Sequence, residues 1–261
     1  MKKVIFCASA LMFGAVAFAQ SNSSLVGQSG NHNQSDVDQQ GLSNLSFVSQ
    51  SGDHNSADVD QKAEYNEAFV IQTGSHNSAI SGQNDDGLQG PAANFSMQYQ
   101  SGNHNEAVIS QDSPYTNGAG SGTVNGVAMQ IQSGNGNDAS IEQLNSNHVS
   151  IQTQSGDNNS ADDFQTGASH ESYTFQSGNH NESDVYQNGW GSNSYVTQTG
   201  DHNTSDVEQK GDRHMSWSMQ SGNHNASTVT QGGSMHMSLV NQSGNHNTSM
   251  VNQGNLVPSA N

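Results

Sequence analysis

Basic side chains are nearly absent from this chain of 261 residues, in which five Lys and Arg stand against 23 Asp and Glu. Two of the five are Lys2 and Lys3, so the rest of the chain holds only Lys62, Lys210 and Arg213. Neither a nucleic-acid backbone nor an anionic lipid surface would find the basic patch it requires. Cysteine occurs once, as Cys7 near the start, which excludes an internal disulfide framework. Leu, Ile, Val and Phe together number 41. At a formal net charge of −18, that little apolar content by itself predicts disorder, an expectation that stays open for the unassembled monomer. After residue 19 no apolar run is long enough to cross a membrane as a helix.

The one apolar run that is present has the form of a secretory signal. Lys2 and Lys3 precede an apolar stretch from Val4 to Phe18, and Ala17-Phe18-Ala19 is a small-x-small cleavage site before Gln20. Residues 1–19 are therefore expected to be removed. The mature chain then has no cysteine, although its compartment would permit disulfides.

What fills the remainder is a repeat. Gln-Ser/Thr-Gly-x-x-Asn occurs ten times, beginning at Gln28, Gln50, Gln72, Gln100, Gln132, Gln154, Gln176, Gln198, Gln220 and Gln242. Seven of the nine intervals are 22 residues and the others are 28 and 32. A second glutamine follows 11 residues after each first one, from Gln39 to Gln253. Such periodicity marks units that stack on copies of themselves, so that many coils bury what one coil cannot.

Each half of the unit reads Asn-x-Ser/Ala-x-Val-x-Gln, as in Asn55-Ala57-Val59-Gln61. Alternation with period two predicts a β-strand with two distinct faces. Between the halves lies Ser/Thr-Gly-x-x, whose glycine permits a positive φ. These arc glycines are Gly30, Gly52, Gly74, Gly102, Gly134, Gly156, Gly178, Gly200, Gly222 and Gly244. We term the strand before this arc leading and the strand after it trailing. The predicted fold is all-β: a two-sheet β-solenoid of ten strand-arc-strand coils over residues 20–257, with a tail at 258–261. The two long intervals add residues at the same place, near 84–93 and 112–125, as Pro- and Gly-bearing loops that lengthen an arc without adding a strand.

Amides at fixed positions are expected to form ladders along the stack, each satisfying its neighbour. Gln28, Gln39, Gln50, Gln61, Asn33, Asn55, Gln242, Asn247 and Gln253 are the ladder and polymerisation candidates. Leading strands depart from the pattern more often. His148, His170, His214 and His236 occupy the Asn position, and Gln98, Gln130, Gln152 or Ser218 the valine position. Among trailing strands, Asp163 replaces the aliphatic residue; a lone carboxylate between sheets is costly, so this coil is expected to be weak.

Three residues before each arc glutamine, the leading strands carry Leu25, Phe47, Phe69, Met97, Met129, Ile151, Tyr173, Tyr195, Trp217 and Leu239. The equivalent trailing positions include Asp36, Asp58, Asp162, Asp184 and Asp206. One outer face is thus expected to be apolar and the other acidic. With the opposite strand parity the apolar column is core instead.

Residues Gln50, Gly52, Asn55, Ala57 and Gln61, and again Gln100, Gly102, Asn105, Ala107 and Gln111, match the spacing of the curlin repeat. The chain resembles the curlin family, the major subunits of curli, which are extracellular amyloid fibres of Gram-negative bacteria. The resemblance covers residues 22–257. It implies a secreted structural subunit that polymerises with itself through its terminal coils, serving biofilm matrix, adhesion and aggregation. Implied partners are further copies, a nucleating subunit, an outer-membrane export channel reached from the periplasm, and surfaces or matrix polymers. The chain departs from the family in having more repeats and in lacking the segment that usually separates signal from first repeat. The minor, nucleating subunit shares the repeat.

No enzyme activity and no cofactor are expected, because Ser, His and Asp recur in nearly every coil and no locally distinct constellation stands out. Eight arc histidines, His32, His54, His76, His104, His180, His202, His224 and His246, are candidates for a metal-binding or pH-responsive ladder. Solvated arc residues copied with the repeat are the plainer reading. A monomeric solenoid adhesin remains the alternative to a fibre subunit.

Overall fold

The computed structural model describes residues 21–84, 93–112 and 125–254. The signal segment 1–19, the 258–261 tail and the interiors of the 84–93 and 112–125 insertions lie outside the described residues. Within them the chain forms twenty β-strands and no helix. The ten odd-numbered strands, from β1 (Ser23–Ser29) to β19 (Met237–Ser243), make one sheet; the even-numbered ones, from β2 (Gln34–Gln39) to β20 (Thr248–Gln253), make the other. Each leading strand belongs to the first sheet and each trailing strand to the second. This is the two-sheet solenoid that the period predicts.

Every pairing is parallel and joins equal positions of successive coils, such as Gln28↔Gln50 and Val37↔Val59. The longer intervals do not disturb this register, since Gln72 still pairs with Gln100 and Gln100 with Gln132. A strand register slipped by one residue would turn every side chain to the wrong face, and here the identical amide at each coil opposes such a slip.

The parity of the leading strands is the one with the apolar column outside. Ser46, Val48 and Gln50 are fully buried, whereas Phe47 between them faces outward and is partly exposed. The core thus has four layers per strand. Amides occupy both ends, a small residue such as Ala57 or Ala68 the next layer, and a branched aliphatic the last. Aliphatic columns gather in clusters, with Val185, Val196, Val207, Val229 and Val240 forming one near the C-terminal end.

The arcs follow from two left-handed residues each. All ten arc glycines have φ between +98° and +118°, and the residue two places on adopts +56° to +65°, as at His32 and Gly136. The return arcs repeat this geometry, with Gly211 at +118° followed by Arg213 at +56°. Glycine is also required by contact. A Cβ added to Gly52 would lie 1.9 Å from the carbonyl oxygen of Gly74 in the next coil.

Val207→Ala is expected to cost ~2 kcal/mol, because it empties a methyl pair from a fully packed column. Its outward neighbour Asp206→Ala should change stability by less than ~0.5 kcal/mol. Urea unfolding of freshly purified, unassembled protein measures both, and equal costs would contradict the assigned faces.

Candidate functional site

The candidate site is the system of ladders together with the two coil edges at which it stops. The glutamine ladders have one polarity throughout. Gln28 Nε2 donates to Gln50 Oε1 at 2.6 Å and Gln50 to Gln72 at 2.8 Å, and so on until Gln220 donates to Gln242 at 2.9 Å. The second glutamine ladder runs the same way from Gln39 to Gln61 at 2.8 Å and ends with Gln231 to Gln253 at 2.9 Å. The remaining amide hydrogen reaches across the core, as where Gln50 Nε2 donates to Gln34 O at 2.9 Å. Each glutamine therefore ties its coil to the next and one sheet to the other.

Asparagine ladders run in the opposite sense. The Asn55 backbone N–H donates to Asn33 Oδ1 at 3.0 Å, and the Asn247 N–H to Asn225 Oδ1 at 3.1 Å. In turn Asn33 Nδ2 donates to Gly52 O at 2.7 Å and Asn225 Nδ2 to Gly244 O at 2.8 Å. The arc glycine thus lets the backbone of the next coil approach closely enough for the asparagine to hold its carbonyl.

At the first edge, β1 and β2 have a neighbour on one side only; at the last edge, so do β19 and β20. Among the described residues nothing donates to the Oε1 atoms of Gln28 and Gln39. At the other end Gln242 and Gln253 accept from within, and each gives one amide hydrogen to a backbone carbonyl, of Ala226 and of Met237, both at 2.9 Å. For the glutamines, one edge presents unpaired acceptors and the other unpaired hydrogens. The apolar columns are uncovered as well, with Val26 44% exposed against Val48 at 0%.

The departures from the repeat are accommodated by chemistry that the sequence reading did not foresee. Gln98, Gln130 and Gln152, in place of valine, build a third ladder inside the core, with Gln98 donating to Gln130 at 3.2 Å and Gln130 to Gln152 at 3.1 Å. His148 reproduces an asparagine. Its Nδ1 accepts from the His170 N–H at 3.3 Å, and its Nε2 lies 2.9 Å from Leu144 O, to which that nitrogen donates. The equivalent Asn66 gives its Nδ2 hydrogen to Lys62 O at 2.7 Å, also four residues back. Burial lowers the pKa of His148 to about 4, and those of His170 and His214 also fall, so the rings stay neutral and keep the acceptor the ladder needs.

Asp163 has no such equivalent. It lies fully buried between Ile141 and Val185, and burial pushes its pKa up to about 7. Ser150 Oγ donates to it at 2.5 Å.

The eight arc histidines form two exposed stacks of four rings. Neighbouring centroids lie 4.7–4.9 Å apart, and the stacks are interrupted at Gly136 and Asn158. Parallel rings at this spacing aim equivalent nitrogens the same way, whereas two Zn–N bonds of ~2.0–2.1 Å span at most ~4.2 Å. The rings would have to leave the stack to share one ion. No group of three His, Cys, Asp or Glu among the described residues is arranged to hold a metal. A further ladder, which the sequence reading missed, runs beside them. Asn31 donates to Asp53 Oδ1 from both its backbone N–H, at 2.8 Å, and its Nδ2, at 2.9 Å; Asn179 donates likewise to Asp201.

Comparison with known proteins agrees with this geometry. A family model described as the curlin associated repeat matches residues 36–62, 52–84, 156–189 and 184–211. These segments avoid both insertions. No curated protein matches the chain.

The buried ionisable groups set opposing pH dependences. Asp163 holds its proton to about pH 7 when folded but only to its ordinary 3.8 when unfolded, so it favours the fold below pH 3.8 and that contribution fades as pH rises toward 7. His148 titrates at about 4 when folded and ordinarily at 6.5, so it favours the fold above pH 6.5 and its contribution fades as pH falls toward 4. Asp163→Val removes the largest of the opposing carboxylate contributions, so the histidine slope shows more. The variant should be more stable than the parent at pH 7.5, by ~2 kcal/mol, and should lose stability more steeply between pH 6.5 and 4. Urea midpoints across this range check it; parallel pH profiles for parent and variant would remove the assignment.

Proposed function

We propose that this chain, four segments of which match the curlin associated repeat, is a secreted structural subunit that adds to copies of itself, head to tail, to form curli-like amyloid fibres of an extracellular biofilm matrix. The observation that carries this reading is the complementarity of the two coil edges. The last leading strand reads Ser238-Leu239-Val240-Asn241-Gln242-Ser243 and the first reads Ser24-Leu25-Val26-Gly27-Gln28-Ser29. On the trailing side Ser249, Val251 and Gln253 meet Ser35, Val37 and Gln39. A second copy laid on the last edge continues every column. Gln242 donates to the incoming Gln28, Gln253 to the incoming Gln39, and Asn247 Nδ2 to the incoming Gly30 carbonyl. The half-exposed Val26 is covered at the same step.

Unpaired strand edges of this kind template the addition of like strands. The rod grows by ~48 Å per subunit, from ten coils at ~4.8 Å. The two imidazole stacks lie toward opposite ends of the subunit, so each junction joins them into one longer run. Export through an outer-membrane channel, start-up by a nucleating subunit and adhesion to surfaces follow from the family and stand as part of this proposal. The signal that would direct secretion is residues 1–19.

Gly244 offers a test that separates folding from assembly. Inside the stack, a Cβ at Gly222 would meet Gly244 O at 2.1 Å, whereas at Gly244 it meets nothing nearer than Asn247 Nδ2 at 3.8 Å. In a fibre the incoming Gly30 carbonyl occupies that space. Gly244→Ala should therefore cost the unassembled protein only the strain of its positive φ, ~1 kcal/mol, yet slow seeded elongation at least tenfold. Gly222→Ala should impair folding itself. Dye-binding growth curves and fibre diffraction with the ~4.7 Å reflection give the readout. Normal growth of Gly244→Ala would exclude in-register stacking, and a parent protein that stays monomeric at high concentration would identify a solenoid adhesin instead.

A further inference from the structure

The outer face of the first sheet carries an apolar column along its whole length, while that of the second is rich in carboxylates. Its central column runs from Leu25 to Leu239 without a polar residue. Tyr173 and Tyr195 stack with ring centroids 5.1 Å apart, and Trp217 continues the row at 5.8 Å from Tyr195. The flanking columns add side chains such as Phe175, 45% exposed, and Met219, 39% exposed. Glu67 and Glu171 are the only carboxylates facing outward from the described strands of this sheet. On the second sheet the corresponding central column includes Asp36, Asp58, Asp162, Asp184 and Asp206. Burial, and then repulsion from neighbouring carboxylates, raises the pKa values of Asp58, Asp184 and Asp206 above the usual range.

Ten strands at ~4.8 Å and seven residues at ~3.3 Å give this face a footprint of roughly 48 by 23 Å, on the order of 1,000 Å², with the unbroken apolar column at its centre and Ser or Thr along one margin. Soluble monomers rarely expose contiguous apolar patches beyond a few hundred Å². A stable protein–protein interface needs about 800 Å² per partner. The face exceeds that need with one subunit, and it continues without a break when subunits stack.

We propose that this face is covered by the same face of a second copy, so that fibres pair through their first sheets into doublets. The inference rests on the fibre reading above and adds a second, lateral contact to it. A twofold relation places the central column against its own counterpart whichever way the second fibre runs, and the two sheets then approach to ~10 Å. Pairing consumes the one apolar face and leaves acidic faces on both outer sides. Those faces repel further fibres, so thickness stops at two, and pairing strengthens as salt screens the carboxylates over a Debye length of ~10 Å at 0.1 M.

The test changes Phe47, Phe69, Tyr173, Tyr195 and Trp217 together to Thr, which keeps β propensity, and compares fibre mass per length with seeded elongation rate. The expected parent value is two subunits per ~48 Å and the expected variant value is one, with elongation within twofold of the parent. A smaller variant, Tyr195→Asp with Trp217→Asp, should split doublets at low salt and restore them at high salt. Parent fibres with one subunit per rise, or a mass per length that the substitutions leave unchanged, would overturn the proposal. So would a folded variant that cannot elongate, which would assign the face to growth. Unchanged doublets with lost adsorption to polystyrene would assign it to surface attachment. A parent that forms no fibre at all speaks against the fibre reading, not against this face.

Discussion

A buried amide has donors on one side and an acceptor on the other, and both must be met where no water reaches. In a stack of coils the simplest partner is the same amide one coil above and below. The rest of this structure depends on that constraint. Because Gln50 must find Gln72 at 2.8 Å, and Gln72 must find Gln100 at the same distance, the strands between them keep one register and one parity. The position of every valine and alanine in the core follows. Apolar burial contributes most of the stabilisation, but valine columns alone would accept a slipped register far more readily than amide columns do.

The same constraint explains which substitutions the repeat absorbs. Histidine replaces asparagine at His148, His170 and His214 because one neutral tautomer offers an acceptor toward the next coil and a donor toward the preceding arc. Ser192, between His170 and His214, keeps the chain of contacts by accepting the His214 N–H on its hydroxyl at 3.2 Å. Glutamine replaces valine only as a consecutive set, at Gln98, Gln130 and Gln152, where each supplies the partner of another. A single Asp163 has no like neighbour above or below, since Ile141 and Val185 pair with it. A serine from the opposite sheet, Ser150, accommodates it by donating to its carboxyl group.

The number of coils and the two-sheet, two-strand architecture were legible in the sequence because both rest on period, and period is visible in one dimension. The apolar column illustrates the limit. Its alternation with Val48 and Val70 leaves two parities open, and the decision needs the Ser46 and Gln50 layers to be seen meeting the opposite sheet. The role of His148 was hidden for a different reason. A ring reads as a departure from the Asn pattern until its two nitrogens are placed against Leu144 O and the His170 N–H. The ladder through Asn31 and Asp53 was illegible because Asn, Asp and Ser alternate there, as Ser75 and Asn103 do, and only geometry shows that the oxygen is the shared feature.

The insertions complete the division of labour among the sides of the rod. Both lie after trailing strands, on the side of the return arcs, and pairing resumes in register beyond each of them. The arcs on the other side never vary in length, since each carries the glycine whose carbonyl an asparagine must hold. One narrow side is thus invariant and lined with imidazole rings, the other admits added sequence, one broad face is apolar and the opposite one acidic. The two ends, by contrast, carry the same columns with opposite hydrogen-bonding sense. Under the proposed assembly, a molecule whose ends match while its four sides differ would lengthen by one kind of contact, and any other contact it made would be chosen by side.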